Sequence, residues 1–233
     1  MGDFDKRDVV VTGGTGALGT AVVGALLAHG ATVHVPWRKK DQADRFVHRG
    51  HANIRLVEAE LGDEAAVSRL YAGVGALWAS IHVAGGFAMQ PIADAGRAAL
   101  MAQIETNYLS CALTSRAAAL AMRKTGAGGR IVNVTARPAL EPRHGGGMTA
   151  YVASKAAVAA FTQALAAELV HENILVNAVA PGTLDTPANR AAMPKADPDK
   201  WAKPDAVAAT ILYLASPDNR VTSGGIVPVY GRS

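Results

Sequence analysis

Apolar residues along this chain fall into two alternating patterns, short β-branched runs and longer Ala-rich stretches with helical spacing. The runs at 9–12, 32–35, 54–59, 77–83, 131–134, 174–179 and 226–229 are short and nearly continuous, as in strands buried on both faces. Between them, 20–29, 41–49, 64–72, 98–124, 151–171 and 204–215 repeat at the helical period. Strand followed by helix, repeated without a break, predicts a parallel sheet of about seven strands with helices on both faces, in one domain spanning 1–233. Two stretches rich in Pro, Gly and charge, 137–147 and 182–201, interrupt the rhythm. Loops after strand C-termini carry the site in such sheets, so both are candidate substrate loops, 182–201 above all.

Composition narrows the class. With 233 residues, 50% apolar and 18% charged, the chain can bury one sizeable core. The net charge of +4 is mild, and basic residues gather only at 38–55, so no nucleic-acid partner is expected. Residues 9–37 lack formal charge, but glycines and two histidines interrupt them; they read as buried protein, with no membrane partner. Residues 1–8 have mixed charge and no cleavage pattern follows them. Cys111 is the one cysteine, so no internal disulfide forms and a reducing, cytoplasmic location is expected. His48 and His51 lack companion ligands at metal spacing, and no metal is expected.

The segment "VVVTGGTGALG" puts Gly13, Gly16 and Gly19, with Thr15 and Leu18, between the first strand and the first helix. Glycine there allows a sharp turn and lets a pyrophosphate approach free N–H groups at the helix start. A glycine turn alone is weak evidence; at the first strand of a strand–helix–strand unit it predicts a Rossmann-type dinucleotide site. Arg38, Lys39 and Lys40 end the second strand, where an acidic residue would instead bind both ribose hydroxyls. The basic trio either receives a 2′-phosphate or is a solvated surface; the first choice makes NADP(H) preferred and NAD(H) possible.

Tyr151 and Lys155 stand four residues apart on one helix face. An ammonium beside a phenol favours the phenolate, which suits a proton donor to a reduced substrate. With Thr12 to Gly19, Ala84-Gly85, Asn107 and Pro181-Gly182 in order, the chain resembles the short-chain dehydrogenases/reductases over nearly its whole length. That resemblance implies a Tyr151 proton donor, a Lys155 that also holds the nicotinamide ribose, and an Asn107 that supports a proton relay. Glu60, Leu61, Ala84, Gly85, Pro181, Gly182 and Leu184 complete the expected cofactor set. The resemblance also implies pairing of the 98–124 and 151–171 helices into a homodimer or homotetramer. Ala17 and His82 depart from common family residues, the latter replacing an Asn.

Ala136 occupies the position where the family's catalytic Ser usually stands. One branch that normally has Ala there is quinonoid dihydropteridine reductase, and "VAGGF", "ARPALE", "GMTAY" and "TLDTPANRAAMPKAD" followed by Trp201 are similar to its segments. The resemblance implies a dihydropteridine-like acceptor, an electron-poor conjugated ring that takes hydride with a single proton donor. Phe87, Thr135, Ala136, Met148 and Met193 are the candidate substrate residues, with Thr135 or Thr149 as alternative sources of the missing hydroxyl. Phe87, Met148, Met193 and Trp201 serve either a pocket or ordinary packing. Trp37-Arg38 and Asn107 depart from the pteridine enzymes. Two other readings stand beside the main one: a carbonyl or imine reductase for another small substrate, and an NADP(H)-binding regulator without turnover.

Overall fold

A computed structural model describes residues 4–232. Its strands are β1 (Asp8–Thr12), β2 (Thr32–Trp37), β3 (Ile54–Glu58), β4 (Leu77–His82), β5 (Gly129–Val134), β6 (Ile174–Pro181) and β7 (Ile226–Val229). They form one seven-stranded sheet in the order β3-β2-β1-β4-β5-β6-β7, and every pairing is parallel. Parallel neighbours need crossovers, here α1 (Ala17–Ala28), α2 (Lys40–Arg45), α3 (Glu64–Ala72), α4 (Arg97–Gln103) with α5 (Ser110–Thr125), α7 (Thr149–Leu169) and α9 (Pro204–Ala215). Short helices α6 (Arg137–Leu140) and α8 (Pro187–Ala192) lie inside the two irregular stretches. The expected single-domain, doubly wound sheet is what forms.

Side chains alternate across the sheet and feed two cores. Val9 and Val11 join Val22, Leu26, Ile211 and Leu212 under α1 and α9. Val10 points the other way, into the cluster of Leu70, Met122 and Leu169 under α3, α5 and α7. Strand order reverses on either side of β1, so the crevice at the C-terminal ends of β1 and β4 is where a ligand site is expected in such sheets.

Three helix readings change. The continuous helix expected at 98–124 is interrupted by a π-helical turn, Ile104–Leu109, which buries Asn107 between α4 and α5. The helix expected at 41–49 ends at Arg45, because Phe46 turns into the core and is 3% exposed. The helix expected at 20–29 begins at Ala17, with extended Gly16 as its N-cap. No helix among the described residues is long and apolar enough to cross a membrane.

Candidate active site

The glycine turn folds against the exit of β4 more closely than any side chain permits. Gly13 adopts φ +67°, and a Cβ there would lie 2.6 Å from the Ala84 nitrogen. A Cβ on Gly19 would run into the Gly13 carbonyl oxygen. No side chain caps the start of α1, so its first N–H groups remain available to an anion. This glycine cradle at a helix start fits a dinucleotide pyrophosphate.

A cleft of about 760 Å³ runs along this edge of the sheet. Gly13, Thr15, Gly16, Leu18 and Gly19 form its floor, and Arg38, Glu60 and Leu61 its β2–β3 end. Ala84, Gly85 and Leu184 line the opposite end. Lys155, Pro181 and Gly182 are not among the lining residues; the Gly182 N–H donates instead to the Val229 carbonyl, 3.4 Å, at the exit of β7. Lys39 and Lys40 do not line the cleft either, because the chain turns into α2 directly after Arg38. Trp37, Gln42, Glu105, Thr106 and Ser110 do line it, and sequence reasoning missed them. Trp37 and Gln42 were within reach of a strand-end argument, but Glu105, Thr106 and Ser110 reach the cleft through the unforeseen π turn.

Lys155 and Asn107 stand behind Gly85. A Cβ on that glycine would come within 2.7 Å of Asn107 Oδ1 and 3.1 Å of Lys155 Nζ, so glycine is what lets the cleft wall reach them. Asn107 accepts from the Gly86 N–H at 2.9 Å and donates to the Gly86 carbonyl at 2.9 Å and Ser154 Oγ at 3.1 Å. Lys155 Nζ donates to the Val134 carbonyl, 2.9 Å, and burial pushes its pKa down to about 8. Tyr151 departs from expectation: burial pushes its phenol up to about 12. With the Lys155 ammonium engaged by a carbonyl, desolvation governs the phenol.

The acceptor end is looser. Phe87, 61% exposed, sets its ring edge-to-face on Tyr151, with centroids 5.1 Å apart. Ala136 is buried and offers no hydroxyl. Thr135 does not take over that task as a free donor, since its Oγ1 donates to the Lys155 carbonyl at 2.6 Å. Thr149 is exposed at the start of α7. Met148 precedes α7 and Met193 follows α8; neither lines the cleft, while Trp201 packs inward at 7% exposed. The 182–201 loop is tied at its roots by a Leu184–Ala202 bridge and by Asp185, which binds Arg190 and Lys203. Those two cations hold the Asp185 carboxyl well below the usual range.

His82 sits below the cleft rather than in it. Its Nδ1 lies 2.8 Å from Asn133 Oδ1 and its Nε2 lies 2.8 Å from Ser80 Oγ, joining β4 to β5. Burial lowers its pKa to about 4, so the imidazole is neutral at physiological pH. Of the two histidines weighed as a metal pair, His48 packs edge-on against Phe46 and His51 accepts from the Asn53 N–H.

The family model described as short chain dehydrogenase matches residues 7–197. L-xylulose reductase of Bos taurus is 30% identical over 240 residues, covering 97% of this chain and 95% of that protein. Galactitol 2-dehydrogenase of Rhizobium johnstonii is 32% identical over 250 residues, covering 97% and 94%. The structure of a short-chain type dehydrogenase/reductase from Mycobacterium ulcerans has a TM-score of 0.89 at 25% identity, covering 99% of this chain and 90% of that one.

Proposed function

Because this chain belongs to the short-chain dehydrogenase family of NAD(P)-dependent oxidoreductases, we propose that it reduces a dihydropteridine-like or related conjugated C=N or C=O acceptor. The observation that carries this reading is a half-buried phenol, Tyr151, faced by the Phe87 ring and lacking a companion hydroxyl at Ala136. A planar, electron-poor acceptor suits such a mouth: the aromatic edge packs against its ring, and its delocalised charge needs only one proton donor. Resemblance of the 183–201 segment to the dihydropteridine reductases points the same way.

The glycine turn would hold the pyrophosphate, Arg38 the 2′-phosphate of NADP(H), and Lys155 with Leu184 the nicotinamide half. The bound dinucleotide supplies the hydride. Tyr151 retains its proton at neutral pH and delivers it to the acceptor, and Lys155, one turn along α7, stabilises the resulting phenolate. Asn107 holds the backbone at Gly86 and so fixes the wall beside Lys155. The names of the polyol-active relatives favour a second reading, reduction of a small carbonyl compound.

Loss of NADPH absorbance, followed with chemically generated dihydropterin, with ketones and imines, and without acceptor, separates these readings. Turnover is expected with the dihydropterin. Tyr151→Phe is expected to lower it about 10²- to 10⁴-fold while dinucleotide affinity holds. Dinucleotide binding with no turnover on any acceptor would instead make the protein a non-catalytic NADP(H) binder.

A further inference from the structure

A second cavity, of about 610 Å³, opens beside the edge strand β7 and, among the described residues, shares none of its lining with the cleft. One wall is α9: its N-cap Lys203, with Ala206, Val207 and Thr210, at three- and four-residue spacings that put them on one face. Another is Val229 at the end of β7 and the tail that follows it. Gly231, at φ +74°, lets that tail lie on the end of the 182–201 loop, because a Cβ there would be 2.8 Å from the Ala202 nitrogen and the Lys200 carbonyl oxygen. The Arg232 N–H donates to the same Lys200 carbonyl at 2.8 Å, which fixes Arg232 on the lining. The lining is apolar at Trp201, Val207 and Val229 and carries two cations, Lys203 and Arg232, against one carboxylate, Asp199. Lys203 already has a carboxylate partner beyond the cavity: its Nζ donates to Asp185 Oδ2 at 2.6 Å, which ties the root of the loop to the start of α9.

We propose that this cavity binds a small carboxylic acid with an apolar body, and that the bound carboxylate competes with Asp185 for Lys203 and loosens the 182–201 loop. A cavity of this size with a largely apolar lining and a few polar groups suits a small molecule: the apolar surface takes the body and the polar groups fix its orientation. A carboxylate head gains charge-assisted hydrogen bonds from Arg232 and Lys203, which an uncharged head of the same shape does not. For Lys203 the exchange replaces one carboxylate by another. Asp185 keeps both bonds from Arg190, and the Leu184–Ala202 bridge persists, so the loop loosens without unfolding. Neither step depends on which dinucleotide or acceptor the protein takes.

Calorimetric titration with 1-naphthoate and with uncharged 1-naphthamide tests the site in the wild type, Arg232→Gln and Ala206→Trp. Both positions are exposed, so both variants are expected to fold. Naphthoate is expected to bind one-to-one and about tenfold more tightly than the amide. Arg232→Gln should cut that preference about threefold, the scale of an exposed charge, and Ala206→Trp, which fills the cavity, should abolish binding of both probes. No saturable binding, equal affinity for acid and amide, a preference untouched by Arg232→Gln, or binding that survives Ala206→Trp overturns the site. The loop is read separately, by the rate of trypsin cleavage after the exposed Lys195. Saturating naphthoate is expected to speed that cleavage about threefold in the wild type and to leave Ala206→Trp unaffected. An unchanged rate with naphthoate bound overturns the competition for Lys203.

Discussion

Around the glycine turn the walls of the cleft are main chain at close quarters, whereas Tyr151, outside the cleft lining, is faced by a side chain standing on a loop. At the first end Gly13, Gly14 and Gly19 leave no room for a Cβ. At the second, Phe87, Met89 and Ile92 are more than 60% exposed, and the loop beyond β6 is held mainly at its roots. A backbone-built site tolerates few sequences and admits one ligand shape. A side-chain-built site can change specificity without disturbing the fold. The family relation therefore speaks for the nucleotide end, and acceptor identity depends on the other end.

The largest effect that would sharpen this contrast is expected from Gly19→Ala. Its methyl group must displace the Gly13 carbonyl, so the turn cannot keep its shape. Dinucleotide affinity is expected to fall about 100-fold, the scale of a displacement near 1 Å at a positioned site, with a lower melting temperature. Titration calorimetry beside thermal unfolding measures both, and unaltered affinity would mean that the turn is not the pyrophosphate cradle.

The same contrast explains what could be read from sequence. Backbone demands leave residue-type signatures, so the glycine turn and the strand–helix rhythm were legible. Residues placed by an irregular backbone were not: the π turn that buries Asn107 and brings Glu105, Thr106 and Ser110 to the cleft has the same apolar spacing as a plain helix. Basic residues in a row also misled, since only Arg38 of the trio lines the cleft. Nor does i to i+4 spacing reveal that the Lys155 ammonium is bound to the Val134 carbonyl, which leaves burial to raise the Tyr151 phenol.

Lys155, buried where the two ends meet, gives a smaller effect. Burial holds it at about 8, below its ordinary 10.5, so from pH 8 to 10.5 the unfolded chain binds more protons than the folded one and stability rises with pH. Below pH 8 the full penalty, about 3 kcal/mol, is present. The buried Cys111 thiol, pushed up from 9.0 to about 12, opposes this trend above pH 9, which leaves pH 8 to 9 as the clean window. Lys155→Met removes the penalty and one hydrogen bond, so stability at pH 7 is expected to increase by about 2 kcal/mol while turnover is lost. Urea denaturation of both proteins across this window tests it; parallel stability curves would mean that the lysine is not penalised by burial.

The smallest effect is expected at the acceptor end, from Phe87→Leu. The edge-to-face contact with Tyr151 is worth about 1 kcal/mol beyond its buried area, and the ring is 61% exposed, so the fold loses little with it. If Phe87 packs against the acceptor, KM for the acceptor should rise about fivefold while kcat and dinucleotide affinity hold, the mark of an interaction made equally before and during the reaction. A fall in kcat at constant KM would reassign Phe87: the ring would then be holding the Tyr151 phenol in place. The acceptor end would in that case be as tightly positioned as the glycine turn, and the contrast between the two ends would break.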